Sequence, residues 1–323
     1  MLRRNLITSS LAAVVLLGGI GVASPGSAVD NLRVIAPAAP GGGWDQTARA
    51  IEAAVNSGGL AKSVAVENVP GAGGTIGLAQ LADREKGNGN VLMVNGLVMV
   101  GAIITNKAPV TLEQVTPIAR LTGEYEVVVV PAASELKSMA DLVAKLKADA
   151  GSVSWGGGSA GGTDHILAGL IAKDAGADLT KLNYIPFSGG GEALAAILGG
   201  HVTAGVSGYS EWEGQIASGE LRALAISSPE RVEGIDVPTL KEQGVDVELA
   251  NWRGIVAPPG LDDAEKAELL KLVDAAVKTD SWKETLAQKK WTDLYLPGDA
   301  FVDLVSLETA RTTEILKSVG LTQ

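Results

Sequence analysis

Asn31-Leu32-Arg33-Val34-Ile35-Ala36-Pro37-Ala38-Ala39-Pro40-Gly41-Gly42-Gly43-Trp44-Asp45 is a Val/Ile-rich run, then a turn of Pro and Gly, then the opening of an amphipathic stretch that reaches Asn56. A short apolar run, a breaker cluster and a 3.6-residue period together read as strand, turn and helix. The same succession continues along the chain. Strands are predicted over 32–36, 63–68, 91–95, 127–130, 153–155, 183–186, 202–207 and 224–226. Helices are predicted over 44–56, 76–83, 138–150, 163–175, 190–199, 211–218, 262–279, 281–290 and 298–319. Most of the strands are almost continuously apolar, as strands become when helices cover both faces of a sheet. The class is therefore α/β, with doubly wound layers.

Two parallel sheets are expected rather than one, because eight or more strands would make an unusually wide single sheet. The chain changes character at 122–125 and 226–229, and neither place is a Gly/Ser linker. The predicted division is residues 29–123 with 228–323 as domain 1 and 124–227 as domain 2, joined by extended strands that bend as a hinge. Within domain 2, Ser138 with Asp141 in the first turn is the expected cap of a helix.

Composition narrows the chemistry. The 323 residues carry 26 basic and 37 acidic side chains, 41 Gly, 2 His and no Cys, with 46% hydrophobic and 4% aromatic residues. This is a globular composition. The absence of Cys excludes disulfides, thiol nucleophiles and thiolate zinc sites. The net charge of −11 opposes binding to nucleic acid or anionic lipid. Residues 1–28 open with Arg3 and Arg4, continue through an apolar run from Leu11 to Ala23 and end on Pro25-Gly26-Ser27-Ala28. That is the layout of a secretory signal, too short to span a bilayer core of about 30 Å. An exported, extracytoplasmic, monomeric protein is expected. Outside the cytoplasm it meets no pool of ATP or NAD.

Four strand-to-helix turns are dense in glycine: 37–45, Val69-Pro70-Gly71-Ala72-Gly73-Gly74-Thr75, Gly156-Gly157-Gly158-Ser159-Ala160-Gly161-Gly162-Thr163, and Phe187-Ser188-Gly189-Gly190-Gly191. Each glycine costs conformational entropy on folding, so such clusters belong where a backbone approaches something closely. The crevice at the carboxyl ends of strands in an open α/β sheet is where ligands bind, and helix N-termini there favour anions. Residues 156–161 also match the dinucleotide fingerprint G-x-G-x-x-G. No acid follows the next strand to hold a ribose hydroxyl, and no G-x-x-x-x-G-K-[ST] occurs, so a carboxylate or oxyanion is the better guest.

Pro40-Gly41-Gly42-Gly43-Trp44-Asp45, Glu67-Asn68-Val69-Pro70-Gly71-Ala72-Gly73-Gly74-Thr75-Ile76-Gly77, Gly161-Gly162-Thr163-Asp164-His165, Gly199-Gly200-His201-Val202 and Trp252-Arg253-Gly254-Ile255-Val256-Ala257-Pro258 occur in that order. Together they resemble the solute receptors of tripartite tricarboxylate transporters, the TctC or Bug-type extracytoplasmic binding proteins. The resemblance spans essentially the whole mature chain and is most specific over 68–77. It implies a periplasmic, periplasmic-binding-protein-like fold that closes as a Venus flytrap on a small carboxylate. The ligand would be held between 40–45 and 159–165 and delivered to a membrane permease, without cofactor, metal or catalysis. The family often has Asn where this chain has Thr75.

On this reading the amides of Gly42, Gly43, Gly161 and Gly162 hold carboxylate oxygens, with the hydroxyls of Ser159 and Thr163 donating as well. Arg253 offers a planar fork to a further carboxylate. Trp44 walls the cleft, or anchors the core as Trp155 and Trp212 would. Pro40, Asp45, Gly73, Thr75, Ser207 and Tyr209 complete the candidate site. His165, in the first turn of a helix, is expected to be neutral, as a donor or a turn stabiliser. Arg49 is a partner for Asp45 one helical turn away. The Trp252-Arg253-Gly254 form of its segment favours a citrate-like tricarboxylate through the resemblance, with a dicarboxylate next. The competing functions are an exported Rossmann-type oxidoreductase and a carboxylate-sensing module. No nucleophile-base pair or paired-carboxylate motif supports catalysis.

Overall fold

The computed structural model describes residues 29–318 and 320–322, so the segment read as a secretory signal lies outside the described residues. The strands are β1 (Asn31–Ala36), β2 (Ser63–Asn68), β3 (Val91–Gly96), β4 (Thr116–Pro131), β5 (Ser154–Gly157), β6 (Asn183–Pro186), β7 (Ala204–Gly208), β8 (Leu221–Ile226), β9 (Ala250–Ala257) and β10 (Thr292–Pro297). The helices are α1 (Gly43–Ser57), α2 (Thr75–Arg84), α3 (Leu97–Thr105), α4 (Met139–Ala148), α5 (Thr163–Asp174), α6 (Gly190–Leu198), α7 (Tyr209–Ala217), α8 (Asp263–Ala276), α9 (Asp280–Lys289) and α10 (Asp299–Ser318).

The strands form one curled sheet in the order β2-β1-β3-β9-β4-β7-β5-β6, with β8 and β10 also paired to β4. The α/β class is as read from the sequence, whereas two separate parallel sheets are not what forms. β1 is parallel to β2 and β3, and β5 to β6 and β7, but β9 runs antiparallel to both β3 and β4. The reason lies in β4, whose 16 residues serve both halves. Thr116 to Tyr125 pair with β9, and Glu126 to Val129 pair with β7. Along β4 successive side chains alternate faces, so Val128 and Val130 join one apolar core while Val127 and Val129 join the other. A run that is apolar at every position is thus explained by two cores, one on each side.

Three elements were not predicted. Residues 97–105 are apolar throughout and carry no helical period, yet they form α3. β9 is interrupted by Asn251 and Arg253, and β10, which opens on Thr292 and Asp293 and continues Leu294-Tyr295-Leu296-Pro297, pairs among the described residues only with β4. The second crossing between the halves is tied at Ser227, which is fully buried. Its hydroxyl donates to the Leu249 carbonyl at 2.6 Å and accepts from the Glu126 amide at 2.9 Å. No helix among the described residues is long and apolar enough to cross a membrane.

Candidate functional site

A cavity of about 380 Å³ lies between the two halves, a size within the roughly 300–1,000 Å³ of small-molecule sites. Its wall comes from the strand-to-helix turns of both halves. Gly42, Gly43 and Trp44 open α1, Gly71 to Gly74 precede α2, Gly158 to Asp164 lead into α5, and Pro186 to Gly190 lead into α6. Ser207, Gly208 and Glu211 add the start of α7, and Asn251 and Arg253 face in from β9. Several helix N-termini therefore converge on one space, and their dipoles favour negative charge there.

The local backbone explains the glycines. Gly71, Gly73 and Gly74 have φ of 125°, 61° and 87°, values that side-chain-bearing residues rarely adopt, so the 69–75 turn needs glycine on conformational grounds alone. Gly43 has ordinary φ/ψ for a helix start. A β-carbon there would collide with the Arg253 guanidinium and crowd Glu211. Likewise a β-carbon at Gly190 would strike Glu211, and one at Gly208 would strike Glu124. These three glycines leave room for buried charge.

The acids around the predicted Arg253 are the part of the site which sequence reasoning missed. Arg253 is 2% exposed and forms an ion pair with Glu124, which is 1% exposed. Glu124 also accepts from the Ser210 amide and hydroxyl, and Arg253 stacks over Trp291 at 4.9 Å. The strand pattern places these groups together. Glu124 and Glu126 share one face of β4, Asn251 and Arg253 share one face of β9, and Glu124 sits opposite Asn251. Glu126 is fully buried beside Asp164, and desolvation with the neighbouring acids holds its carboxyl protonated well above the usual range. Asp164 accepts from the Gly158 amide at 2.6 Å, but burial still pushes it up to about 6. Glu211 borders the cavity, and burial, with Glu124 nearby, raises it to about 8 against the pull of Arg253. The alternation Glu124-Tyr125-Glu126 ahead of four valines was a legible signal of acids inside a buried strand.

Of the predicted site residues, Gly42, Gly43, Trp44, Gly73, Ser159, Gly162, Thr163, Ser207 and Arg253 line the cavity. Pro40, Asp45, Thr75, Gly161, His165 and Tyr209 do not, and most have local work instead. Asp45 accepts from the Gly41 amide at 2.8 Å, from Arg49 at 3.0 Å and from Asn68 at 2.9 Å, which pins the first turn. Thr75 donates to the Ala72 carbonyl at 2.9 Å. His165 stacks on Tyr184 at 4.0 Å and accepts the Gly161 amide at its Nδ1, while burial lowers its pKa to about 4. It is neutral and stabilises its turn. Tyr209 packs into the smaller core, and Trp155 and Trp212 are fully buried.

The amides expected to hold a carboxylate are mostly engaged at home. Gly42 donates to Ala39, Gly162 to Ser159 and Gly161 to His165, and the Gly43 amide is turned to Glu211. The difference has a physical basis: a glycine-rich turn closes by hydrogen-bonding itself. Three buried polar atoms in the wall have no partner within the protein: Arg253 Nη1, Thr163 Oγ1 and Asn251 Oδ1. Buried polar atoms are rarely left so.

The family profile described as TctC, the tripartite tricarboxylate transporter family receptor, matches residues 47–321. The chain belongs to this family. Among TctC-type relatives, Protein BugT of Bordetella pertussis is 29% identical over 325 residues, covering 97% of this chain and 98% of BugT. Two solved structures share the fold. The periplasmic binding protein BugD has a TM-score of 0.81 at 24% identity over 91% of this chain and 98% of its own. MatC from Rhodopseudomonas palustris, solved with bound malate, has a TM-score of 0.79 at 24% identity over 90% of this chain and 99% of its own. The fold is that of a periplasmic binding protein, and the TctC family is one of substrate-binding receptors.

Proposed function

We propose that this receptor acts in the periplasm, where it closes residues 29–123 with 228–323 against 124–227 on a small carboxylate and presents it to a tripartite transporter permease. The observation that carries the reading is the cavity itself, a cleft at converging helix N-termini with Arg253 and Thr163 among the residues of its wall. MatC, which has the same fold, was solved with malate, an acid that such a space would hold.

The electrostatics argue for fewer charges on the ligand than the citrate-like tricarboxylate favoured by the resemblance. Glu211 and Asp164 line the wall, and Glu124 and Glu126 stand behind it with Arg253 as their cation. Each added carboxylate on the ligand meets these acids in a medium of low dielectric.

The exported oxidoreductase reading meets an obstacle at its own motif. A pyrophosphate would need the amides after β5, but Asp164 already accepts from Gly158, and Tyr184 donates to the Gly158 carbonyl at 2.8 Å. An acid occupying the phosphate seat repels a phosphate.

The test is a thermal-shift and calorimetric screen of the mature protein with acetate, succinate, malate, citrate and an uncharged sugar, with NMR of the recovered ligand. A carboxylate should raise the melting temperature, as linkage requires, and come back unchanged. Stabilisation by the sugar with none by any acid would refute the assignment.

A further inference from the structure

We propose that Trp291, which does not line the cavity, is the positioning residue for Arg253, and that Arg253 meets a ligand carboxylate only while a ring of side chains, Trp291, Ser210, Glu124 and Arg253, is complete. The inference rests on the carboxylate-receptor reading and adds to it the device that aims its arginine.

An arginine side chain is long and flexible, so its planar fork serves recognition only where the plane is fixed. The neighbours of Arg253 fix it. Glu124 accepts from Nη2, Trp291 lies under the guanidinium face at 4.9 Å, and Gly43 borders it so closely that a β-carbon there would collide with it. What is left is Nη1, buried and without a partner in the protein, on a residue that lines the cavity.

Trp291 also fixes Glu124, by a route whose direction follows from donor chemistry. An indole N–H can only donate and a carboxylate can only accept. The Ser210 hydroxyl between them therefore accepts from Trp291 Nε1 at 3.3 Å and gives its own proton to Glu124. The Ser210 amide adds a second bond to the same Glu124 oxygen at 2.9 Å. Trp291 thus touches Arg253 directly and reaches its counter-ion through one hydroxyl. Ser210 opens α7 in residues 124–227, whereas Trp291 and Arg253 belong to 228–323, so the Trp291–Ser210 bond crosses between the halves. The aim of the arginine then depends on the halves being together.

The backbone before Trp291 is built for placement. Helix α9 ends in a Schellman turn, with the Trp291 amide donating to the Leu286 carbonyl at 3.0 Å and the Lys290 amide to that of Ala287 at 3.4 Å. Lys290 has φ of 56°, the left-handed position where glycine is usual. A side-chain-bearing residue stays there only when its surroundings hold it. The turn delivers an indole that is 5% exposed. A tryptophan that merely fills a core needs apolar neighbours, whereas this one commits both its N–H and its π face to the charged ring.

Calorimetric titration of the mature protein with L-malate, succinate and citrate, each alone, tests this through double-mutant cycles. Trp291→Leu should weaken the acid that binds wild type most tightly about tenfold, and Trp291→Phe, which keeps an aromatic face but no N–H, only about threefold. In an Arg253→Lys background, where the charge remains but the planar fork is gone, Trp291→Leu should cost less than about twofold. Ser210→Ala should also weaken binding, and together with Trp291→Phe it should cost less than the product of the two separate losses, because both break one link. A tryptophan that only fills the core would cost the same affinity in both arginine backgrounds, and that result would overturn the inference, as would wild-type affinity in Trp291→Leu. Should Trp291→Leu or Arg253→Lys fold or bind too poorly to measure, the Ser210→Ala and Trp291→Phe pair decides: losses that multiply, or no loss in either variant, sink it. Each of these results leaves the carboxylate receptor standing. If none of the three acids binds wild type, that reading falls and the inference with it.

Discussion

At the scale of the residue, the cleft sets two requirements against each other. Glycines hold open a space that a β-carbon would close, and charged side chains then occupy much of it. The Arg253–Glu124 pair is a buried ion pair whose desolvation opposes its attraction, so its value lies in fixing the position of Nη1. Glu211 makes a measurable prediction. Its pKa in the fold is raised to about 8 from an ordinary 4.5, so between those values the unfolded chain has lost a proton that the native protein keeps. The stability tied to this proton is fully present below about 4.5 and is lost as the pH rises through about 8. His165, lowered to about 4, and Asp164, raised to about 6, titrate mostly below 6.5, so from 6.5 to 8 the slope comes from the raised carboxyls of Glu211 and Glu126, and the difference between wild type and Glu211→Gln isolates the former. Urea denaturation of the ligand-free protein should show stability falling across that interval, and the fall should be distinctly shallower in Glu211→Gln. Parallel slopes in the two proteins would show that Glu211 is not protonated in the native state.

Elements in this chain were legible in proportion to how local their causes are. Helix α4 is an example: the Ser138 hydroxyl accepts the Asp141 amide at 3.2 Å, and Asp141 returns the bond to the Ser138 amide at 2.9 Å, which closes a capping box seen in the sequence. Ser138→Ala should cost about 1 kcal/mol in urea denaturation. It should leave ligand affinity unchanged, because α4 contributes nothing to the cavity wall. A large loss of affinity would mean that α4 is coupled to the cleft. Helix α3 shows the opposite case. Leu97 to Thr105 has no polar face to mark a period, since the helix is packed between its own half and the turn before α5, and only tertiary burial decides that it coils. Strand β9 was obscured for a related reason: Asn251 and Arg253 break its apolar run because they face the cavity, not the core.

For the whole molecule, the two halves touch along a seam at the mouth of the cavity. Gly101 on α3 meets the Gly161 carbonyl across the cleft with no room for a side chain, and Gly73 stands near Ser159 in the same seam. The chain itself crosses between the halves along β4 and beside the buried bonds of Ser227, elements that can flex with small changes in φ and ψ. Gly101→Ala should prop the halves apart. Alanine suits a helix better than glycine by up to about 1 kcal/mol, so the fold should not suffer. Small-angle scattering in the presence of a binding acid should give a larger radius of gyration than wild type, and affinity should drop about tenfold or more. Wild-type affinity and compaction in this variant would mean that the seam does not have to close for binding.

The alternation of strand and helix, the glycine turns at the carboxyl ends of the strands, the capped helices and the family resemblance all followed from the sequence, because each depends on residues within a few positions of one another. Local order also marked the glycine turns that border the cavity. Tertiary structure alone decided that β4 joins both halves in one sheet, and that Glu124, Glu126, Asp164, Glu211 and Arg253, drawn from four separate elements, share one interior. Charges distant in the chain interact only when the fold removes the water between them, and no periodicity records that.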